Sequence, residues 1–161
     1  MALVFLGVGS NLGDRQAHID KAISLLKENP DIEILSASAF IETKAEGGAP
    51  QEDFLNGALK IKTSLLPLEL LSQLKMVERR LGRTKGEPNS PRPIDLDILF
   101  YDDVVIVEGK NLTIPHPRLA LRMFVLKPLM EIAPDFMHPR LKKTVKELYE
   151  KLSESSLASP S

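Results

Sequence analysis

The sequence contains no cysteine and no tryptophan among its 161 residues, and only 5% of its residues are aromatic. The absence of cysteine excludes disulfides and thiolate metal sites, so any metal must be held by oxygen or histidine ligands. Oxygen sites favour Mg²⁺, Ca²⁺ or Mn²⁺. The charges nearly cancel, with a formal net charge of −1. This balance leaves no general electrostatic basis for binding nucleic acid or a membrane surface.

Long apolar runs are also lacking. The apolar stretch 1–8 is too short to span a membrane and has no basic segment before it, so we expect a cytoplasmic protein. The proportions of hydrophobic residues (43%) and charged residues (27%) are ordinary for a globular protein. This length predicts one domain, which we place at 1–152, followed by a frayed tail over 153–161.

Hydrophobic spacing predicts the element order β, α, β, β, α, β, followed by a hairpin and short helices. The predicted strands cover 3–8, 32–43, 54–63 and 94–101, and the hairpin joins 104–107 to 112–114. The predicted helices run from a cap at Asp14 to Asn29, from Pro67 to Gly82, and from Thr144 to Leu152. Glycine and proline mark loops at 44–53 and 84–93. The order matches the ferredoxin-like βαββαβ plan, an α+β fold in which helices pack on an antiparallel-rich sheet.

The strongest local signal is the pair Asp95 and Asp97 in the strand 94–101. Residues two apart on a strand point to the same side, so both carboxylates share one face while their apolar neighbours can enter the core. Such a pair can hold one or two divalent ions, and Mg²⁺ commonly combines carboxylates with phosphate oxygens. A solvated polar face is the structural alternative. Arg92, close before the strand, favours the functional interpretation.

Basic side chains around this strand form a second signal. Arg83 and Arg92 bracket the loop 84–93, and Arg122 follows His116. A guanidinium binds phosphate through a planar fork and stabilises the charge on a transferring phosphoryl group. Prolines on both sides restrict the backbone of His116, which favours a fixed hydrogen-bond donor to phosphate, with a core or surface histidine as the alternative.

Two further motifs have structural alternatives. The glycine-rich segment 7–13 lacks the third glycine of a dinucleotide fingerprint, so we interpret it as a tight strand-to-helix turn. No GxxxxGK[ST] motif occurs, which excludes a P-loop enzyme. Phe54, Asn56 and Phe124 can sandwich a flat heterocycle and read its edge, although single aromatic residues are more often part of a core.

Taken together, these segments resemble the 6-hydroxymethyl-7,8-dihydropterin pyrophosphokinase family of folate biosynthesis. Seven stretches in family order carry the resemblance, namely 9–13, 54–56, 82–83, 91–99, 115–118, 122–126 and 128–134. One such stretch can arise by chance, whereas the ordered set is specific. The resemblance implies that ATP gives its β,γ-diphosphate to the hydroxymethyl oxygen of the pterin and leaves AMP.

The resemblance also implies roles for individual residues. Asp95 and Asp97 would hold two Mg²⁺ ions on the triphosphate, and Arg83 and Arg92 would join them as catalytic residues. The implied nucleotide positions are Leu71, Lys75, Glu78, Lys85, Ile98, Leu112, Thr113, His116 and Arg122. The implied pterin positions are Thr43, Gly47, Phe54, Asn56, Asp95 and Phe124. We expect a monomer that binds ATP and a dihydropterin alcohol, and neither nucleic acid nor a membrane.

The chain departs from the family pattern in the loop 84–93. The family usually carries Arg-Trp-Gly-Pro-Arg where this chain has 88–92 without tryptophan, so the aromatic residue that covers the pterin is missing. Lys85 stands where arginine is common, and an ammonium cannot make the same fork. Two rival functions remain: a ferredoxin-like sensor or RNA-binding module, and a dinucleotide oxidoreductase. The lack of basic excess argues against RNA.

Overall fold

The computed structural model describes residues 1–43, 53–82, 93–109 and 111–158. The strands in these ranges are β1 (Ala2–Ser10), β2 (Ile32–Ala37), β3 (Ile41–Thr43), β4 (Phe54–Thr63), β5 (Asp95–Tyr101), β6 (Ile106–Glu108) and β7 (Leu112–Ile114). The helices are α1 (Arg15–Glu28), α2 (Pro67–Arg80), α3 (Met123–Ile132) and α4 (Val145–Ala158), and a 3₁₀ turn covers Leu119–Leu121. Apart from Asp53 and Pro93, the predicted loops 44–53 and 84–93 lie outside the described residues. None of the helices in these ranges has the length and apolar character needed to cross a membrane.

The central sheet has the order β2-β4-β1-β5, and β3 also pairs with β4. All of these pairings are antiparallel. Helix α1 connects β1 to β2, and α2 connects β4 to β5. This arrangement confirms the predicted ferredoxin-like α+β fold. The predicted hairpin is present as the antiparallel pair β6 and β7.

Local sequence signals set the ends of the two connecting helices. Asp14 caps α1 by accepting a hydrogen bond from the N–H of Ala17 at 3.1 Å. Pro67 begins α2, where a missing N–H costs no helical hydrogen bond. Gly82 follows the end of α2 with a φ of 93°, a backbone conformation that favours glycine. The predicted bounds of both helices therefore hold to within two residues at each end.

Both faces of the sheet carry apolar side chains. One face packs against α1 and α2, with Val4 and Leu6 of β1 in that core. The other face packs against α3 and α4, and it includes Phe5, Leu99 and Phe100. The register of β1 against β5 shifts between Phe5 and Leu6, so that the neighbouring Leu99 and Phe100 both join this second core. Toward the start of β5, glycine and aspartate replace apolar residues on this second face, and a cavity opens there.

One predicted strand is wrong. Residues 32–43 form two strands, β2 and β3, rather than one. At buried Ser38 the ladder is only half kept: its N–H donates to the carbonyl of Ala58 at 2.9 Å, but its hydroxyl, not its carbonyl, accepts the N–H of Ala58 at 2.8 Å. The ring of Phe40 packs so closely on Gly57 that a side chain at position 57 would come within 2.6 Å of it. This contact between distant positions interrupts the strand, and strand propensity within the segment does not reveal it.

The last helix is longer than predicted. The hydrophobic pattern ends at Leu152, whereas α4 continues to Ala158 through part of the predicted frayed tail. Thr144 and Glu147 cap its start reciprocally, with hydrogen bonds of 3.0 and 3.1 Å. Extending a helix that has already nucleated requires little further stabilisation, so the polar residues after Leu152 continue it.

Candidate active site

The carboxylates of Asp95 and Asp97 lie on the same face of β5 and line one cavity of about 130 Å³. Leu96 between them is 1% exposed and packs in the core beneath α1 and α2. The predicted alternation along this strand is therefore present. On the neighbouring strand β1, Gly9 pairs with Asp95 and Gly7 pairs with Asp97. Because glycine has no side chain, the sheet surface beside both carboxylates is left open.

The cavity lies between this face of the sheet and the segment 116–125. The structure brings together most of the predicted phosphate-binding and pterin-binding side chains around it. Those that line it are Thr43, Phe54, Asn56, Asp95, Asp97, His116, Arg122 and Phe124. They come from β3, β4, β5 and the start of α3, with His116 lying between β7 and the 3₁₀ turn. Acidic, basic and aromatic side chains thus meet in one place, although they are far apart in the sequence.

His116 is held by its backbone and by its ring. Its N–H donates to the carbonyl of Leu99 at 3.1 Å, and its Nδ1 accepts the N–H of Arg118 at 3.3 Å. Nδ1 is therefore the acceptor of a neutral imidazole, which leaves Nε2 as its hydrogen-bond donor. Burial and the Arg122 guanidinium lower the pKa of His116, while Asp95 raises it by a smaller amount. The two larger effects therefore favour the neutral form of His116.

Arg122 and Phe124 form the helix side of the cavity. Arg122 is the residue that precedes α3, and its Cζ lies 5.4 Å from the centre of the Phe124 ring. A cation over an aromatic face contributes roughly 0.5–1 kcal/mol at an exposed site. The contact orients both side chains and sets a cation close to the carboxylates of β5. This cation can bind an anionic ligand that bridges the cavity.

Asn56 forms the polar floor of the opposite side. Its Nδ2 donates to Thr43 Oγ1 at 2.6 Å, and the residue is 9% exposed. Gly9 provides the space for this amide, because a Cβ at that position would come within 2.4 Å of Asn56 Oδ1. Phe54 and Phe124 line the cavity from different elements. The predicted combination of aromatic rings and one fixed amide is therefore present.

Other predicted residues lie elsewhere. Six of the predicted nucleotide positions do not line this cavity: Leu71, Lys75, Glu78, Ile98, Leu112 and Thr113. Among them, Ile98 and Leu112 are buried in the core under α1 and α2, and Leu71 packs against that core. The predicted site residues Gly47, Arg83, Lys85 and Arg92 lie outside the described residues. The roles implied for these positions stay predictions.

Glu78 has a contact that sequence reasoning missed. The residue is 3% exposed, and its Oε2 accepts the N–H of Leu96 at 2.8 Å. Its Oε1 lies 3.4 Å from Lys75 Nζ. Leu96 is the residue between the two aspartates, so this buried carboxylate anchors the backbone that carries both of them. One signal was available, because Glu78 lies four residues after Leu74 on the apolar side of the predicted helix.

Comparisons with known proteins support the same family as the sequence motifs. The family model described as 7,8-dihydro-6-hydroxymethylpterin-pyrophosphokinase (HPPK) matches residues 5–134. The chain is 50% identical to the 2-amino-4-hydroxy-6-hydroxymethyldihydropteridine pyrophosphokinase of Aquifex aeolicus over 147 residues. This alignment covers 91% of this chain and 90% of that protein. It is 45% identical over 150 residues to the bifunctional protein FolKE of Lactococcus lactis, covering 92% of this chain and 43% of that protein.

Solved structures support the fold. Wild-type Plasmodium falciparum HPPK-DHPS with pteroate superposes with a TM-score of 0.77 at 17% identity, covering 98% of this chain and 46% of that chain. The chain thus spans most of the Aquifex relative and less than half of the Lactococcus and Plasmodium proteins. The family match covers most of the chain, and all seven of the stretches that predicted it lie within the matched residues. The chain therefore belongs to the 7,8-dihydro-6-hydroxymethylpterin-pyrophosphokinase family of enzymes.

Proposed function

We propose that this chain transfers the β,γ-diphosphate of ATP to the hydroxymethyl oxygen of 6-hydroxymethyl-7,8-dihydropterin in folate biosynthesis. The products are AMP and the pterin diphosphate. One observation carries the proposal: a single cavity is lined by an acidic pair, a cation and a histidine together with a second group, two aromatic rings and a fixed amide. The first group suits a metal-bound triphosphate, and the second suits a flat heterocycle.

Asp95 and Asp97 are the residues that would hold Mg²⁺. Their donor chemistry fits, because Mg²⁺ usually takes one or two carboxylates and completes its shell with phosphate oxygens and water. Among the described residues, no group of three or more histidine, aspartate or glutamate side chains forms a protein-only cage. When bound, magnesium neutralises charge on the triphosphate. By family resemblance we propose two ions.

The basic side of the cavity positions the triphosphate. Arg122 supplies a permanent positive charge, and His116 supplies an N–H donor from Nε2. In the transfer, the hydroxymethyl oxygen forms a bond to the β-phosphorus while the bond from that phosphorus to the α-phosphate oxygen breaks. The hydroxyl proton leaves to solvent, since a loose transition state has little need of a general base. The contribution of these side chains is alignment and charge stabilisation.

The second group of side chains selects the heterocycle. The amide of Asn56 offers both an acceptor and a donor to the edge of a pterin ring, and its orientation is set by Thr43. Phe54 and Phe124 can pack on the ring faces. From the resemblance we also propose that Arg83 and Arg92 act on the phosphates and that Lys85 and Gly47 contact the two substrates. We also propose a monomer as the active unit.

The reaction itself is the direct test. Purified protein, Mg²⁺, ATP and the dihydropterin alcohol are mixed, and AMP and the pterin diphosphate are measured by chromatography. We expect stoichiometric formation of both products, no formation in the presence of EDTA, and formation on the order of 100-fold slower with Asp97→Asn. Ligand-induced thermal stabilisation without AMP would instead identify a sensor. Release of ADP and phosphate in place of AMP would refute the proposed diphosphate transfer.

A further inference from the structure

Arg15, the first residue of α1, connects that helix to two strands of the sheet. Its Nη1 donates to the carbonyl of Asp53 at 2.8 Å, and its Nη2 forms an ion pair with Oε1 of Glu42. Glu42 belongs to β3, and Asp53 directly precedes β4. The Arg15 side chain is 25% exposed, against 62% for Glu42, so the guanidinium is the more buried partner. One side chain therefore spans one acceptor on β3 and another at the residue before β4.

The two acceptors adjoin two residues of the cavity. Thr43 follows Glu42, Phe54 follows Asp53, and the strand register pairs Thr43 with Phe54. Thr43 and Phe54 both line the cavity, and Thr43 also fixes the Asn56 amide. Strand β3 is only three residues long, so few ladder hydrogen bonds hold it against β4. A contact from α1 at this point limits how far β3 and β4 can separate.

We propose that Arg15 is a positioning residue for the wall formed by Thr43 and Phe54, and that it thereby sets the affinity for the dihydropterin alcohol. This inference rests on the proposed function. Arg15 does not line the cavity and acts only through its two neighbours. An arginine suits this position because its planar fork presents separate N–H groups to two acceptors, which a lysine ammonium does less well. Its partners among the described residues, Glu42 and Asp53, adjoin residues of the pterin pocket, so the expected effect is on the pterin alcohol and not on ATP.

An ordinary surface ion pair is the competing explanation. Exposed pairs contribute little to stability, so the melting temperature cannot separate the two explanations. The separating measurement is the KM for each substrate. A positioning role changes the KM for the pterin alcohol and leaves both the KM for ATP and kcat unchanged. A general loss of structure changes all three.

The first experiment compares Arg15→Ala and Arg15→Lys with wild type, and uses Lys21→Ala as the control. Lys21 is exposed on the same helix, so its removal deletes an equal charge away from the sheet. We expect the KM for the pterin alcohol to rise about fivefold in Arg15→Ala, to rise less in Arg15→Lys, and to stay unchanged in Lys21→Ala. An unchanged pterin KM in Arg15→Ala, or an equal rise in both KM values, overturns the inference.

A charge exchange tests the partner. Arg15→Glu and Glu42→Arg each place like charges together, whereas the double variant restores an ion pair of reversed direction. We expect partial recovery of the pterin KM in the double variant, because a carboxylate at position 15 cannot donate to the Asp53 carbonyl. Strict addition of the two single effects refutes the pair. Kd values for the pterin alcohol, measured by calorimetry, give the same comparison without turnover. If the wild type proved inactive, the proposed function would be refuted, and the Kd values would still test the role of Arg15.

Discussion

Replacing Glu78 with alanine removes the acceptor for the N–H of Leu96, the residue between the two aspartates. Leu96 lies on β5, at the edge of the central sheet, and its N–H points to α2 rather than to another strand. The Glu78 side chain is buried, so the freed N–H stays in a largely dry environment. Glu78→Gln keeps an oxygen acceptor of nearly the same shape and removes only the charge. The two variants therefore separate the hydrogen bond from the charge.

The magnitude follows from the burial of both partners. A buried donor left without its acceptor costs about 1–3 kcal/mol. The lost pairing with Lys75 adds little, since that ammonium is half exposed and returns to water. We therefore expect Glu78→Ala to lower the free energy of unfolding by about 2 kcal/mol, and Glu78→Gln to lower it by less than about 1 kcal/mol. For a chain of this length, 2 kcal/mol corresponds to a fall of roughly 4–8 °C in the melting temperature.

The assay combines urea unfolding with initial rates measured well below the melting temperature. Glu78→Ala should also lower kcat by at least about tenfold, because a small displacement of catalytic groups is costly to rate. Lys75→Ala is the control for stability and should leave the free energy of unfolding nearly unchanged, because its ammonium is half exposed. The reasoning is refuted if Glu78→Gln is as unstable as Glu78→Ala, or if the folded alanine variant retains wild-type kcat.

Three further predictions concern the metal, the pterin pocket and pH. Asp97→Asn should lower kcat on the order of 100-fold without changing the melting temperature, and near-native initial rates would contradict its role. Gly9→Ala should raise the KM for the pterin alcohol more than the KM for ATP, because the added Cβ would come within 2.4 Å of Asn56 Oδ1. Equal changes in the two KM values would contradict this prediction. Burial, aided by Arg140, lowers the pKa of His138 below its ordinary 6.5. As pH falls, His138 is therefore protonated in the unfolded chain before it is protonated in the folded chain, and stability should fall below about pH 6.5. Urea unfolding between pH 8 and pH 5 should show a flatter pH dependence in His138→Asn, and an unchanged slope would count against burial as the cause.

Several features of the fold follow from local sequence alone. The predicted strand 54–63 has the same bounds as β4, and Asp14 caps α1 as expected. The shared face of Asp95 and Asp97 also follows from local geometry, since a strand places alternate side chains on one side. The comparisons confirm the predicted family. It could be predicted without knowledge of contacts because its motifs are ordered along the chain. The individual roles assigned to site residues stay predictions.

Other features depend on contacts between distant residues. The break between β2 and β3 comes with Phe40 packed on Gly57, and the carboxylate of Glu131 accepts the N–H of Ala39 within that break from 92 positions away. Sequence spacing does not predict such pairs, because residues this far apart come into contact only when the sheet and helices have packed together.

The sequence by itself determined the kinds of side chain, their local periodicity and the family to which the chain belongs. Tertiary structure decided which of them meet: Glu78 with Leu96, Arg15 with Glu42, and Phe54 with Phe124 across one cavity. The physical reason is that alternation and capping act over a few residues, whereas the shape of a binding cavity depends on how strands and helices pack after they have formed.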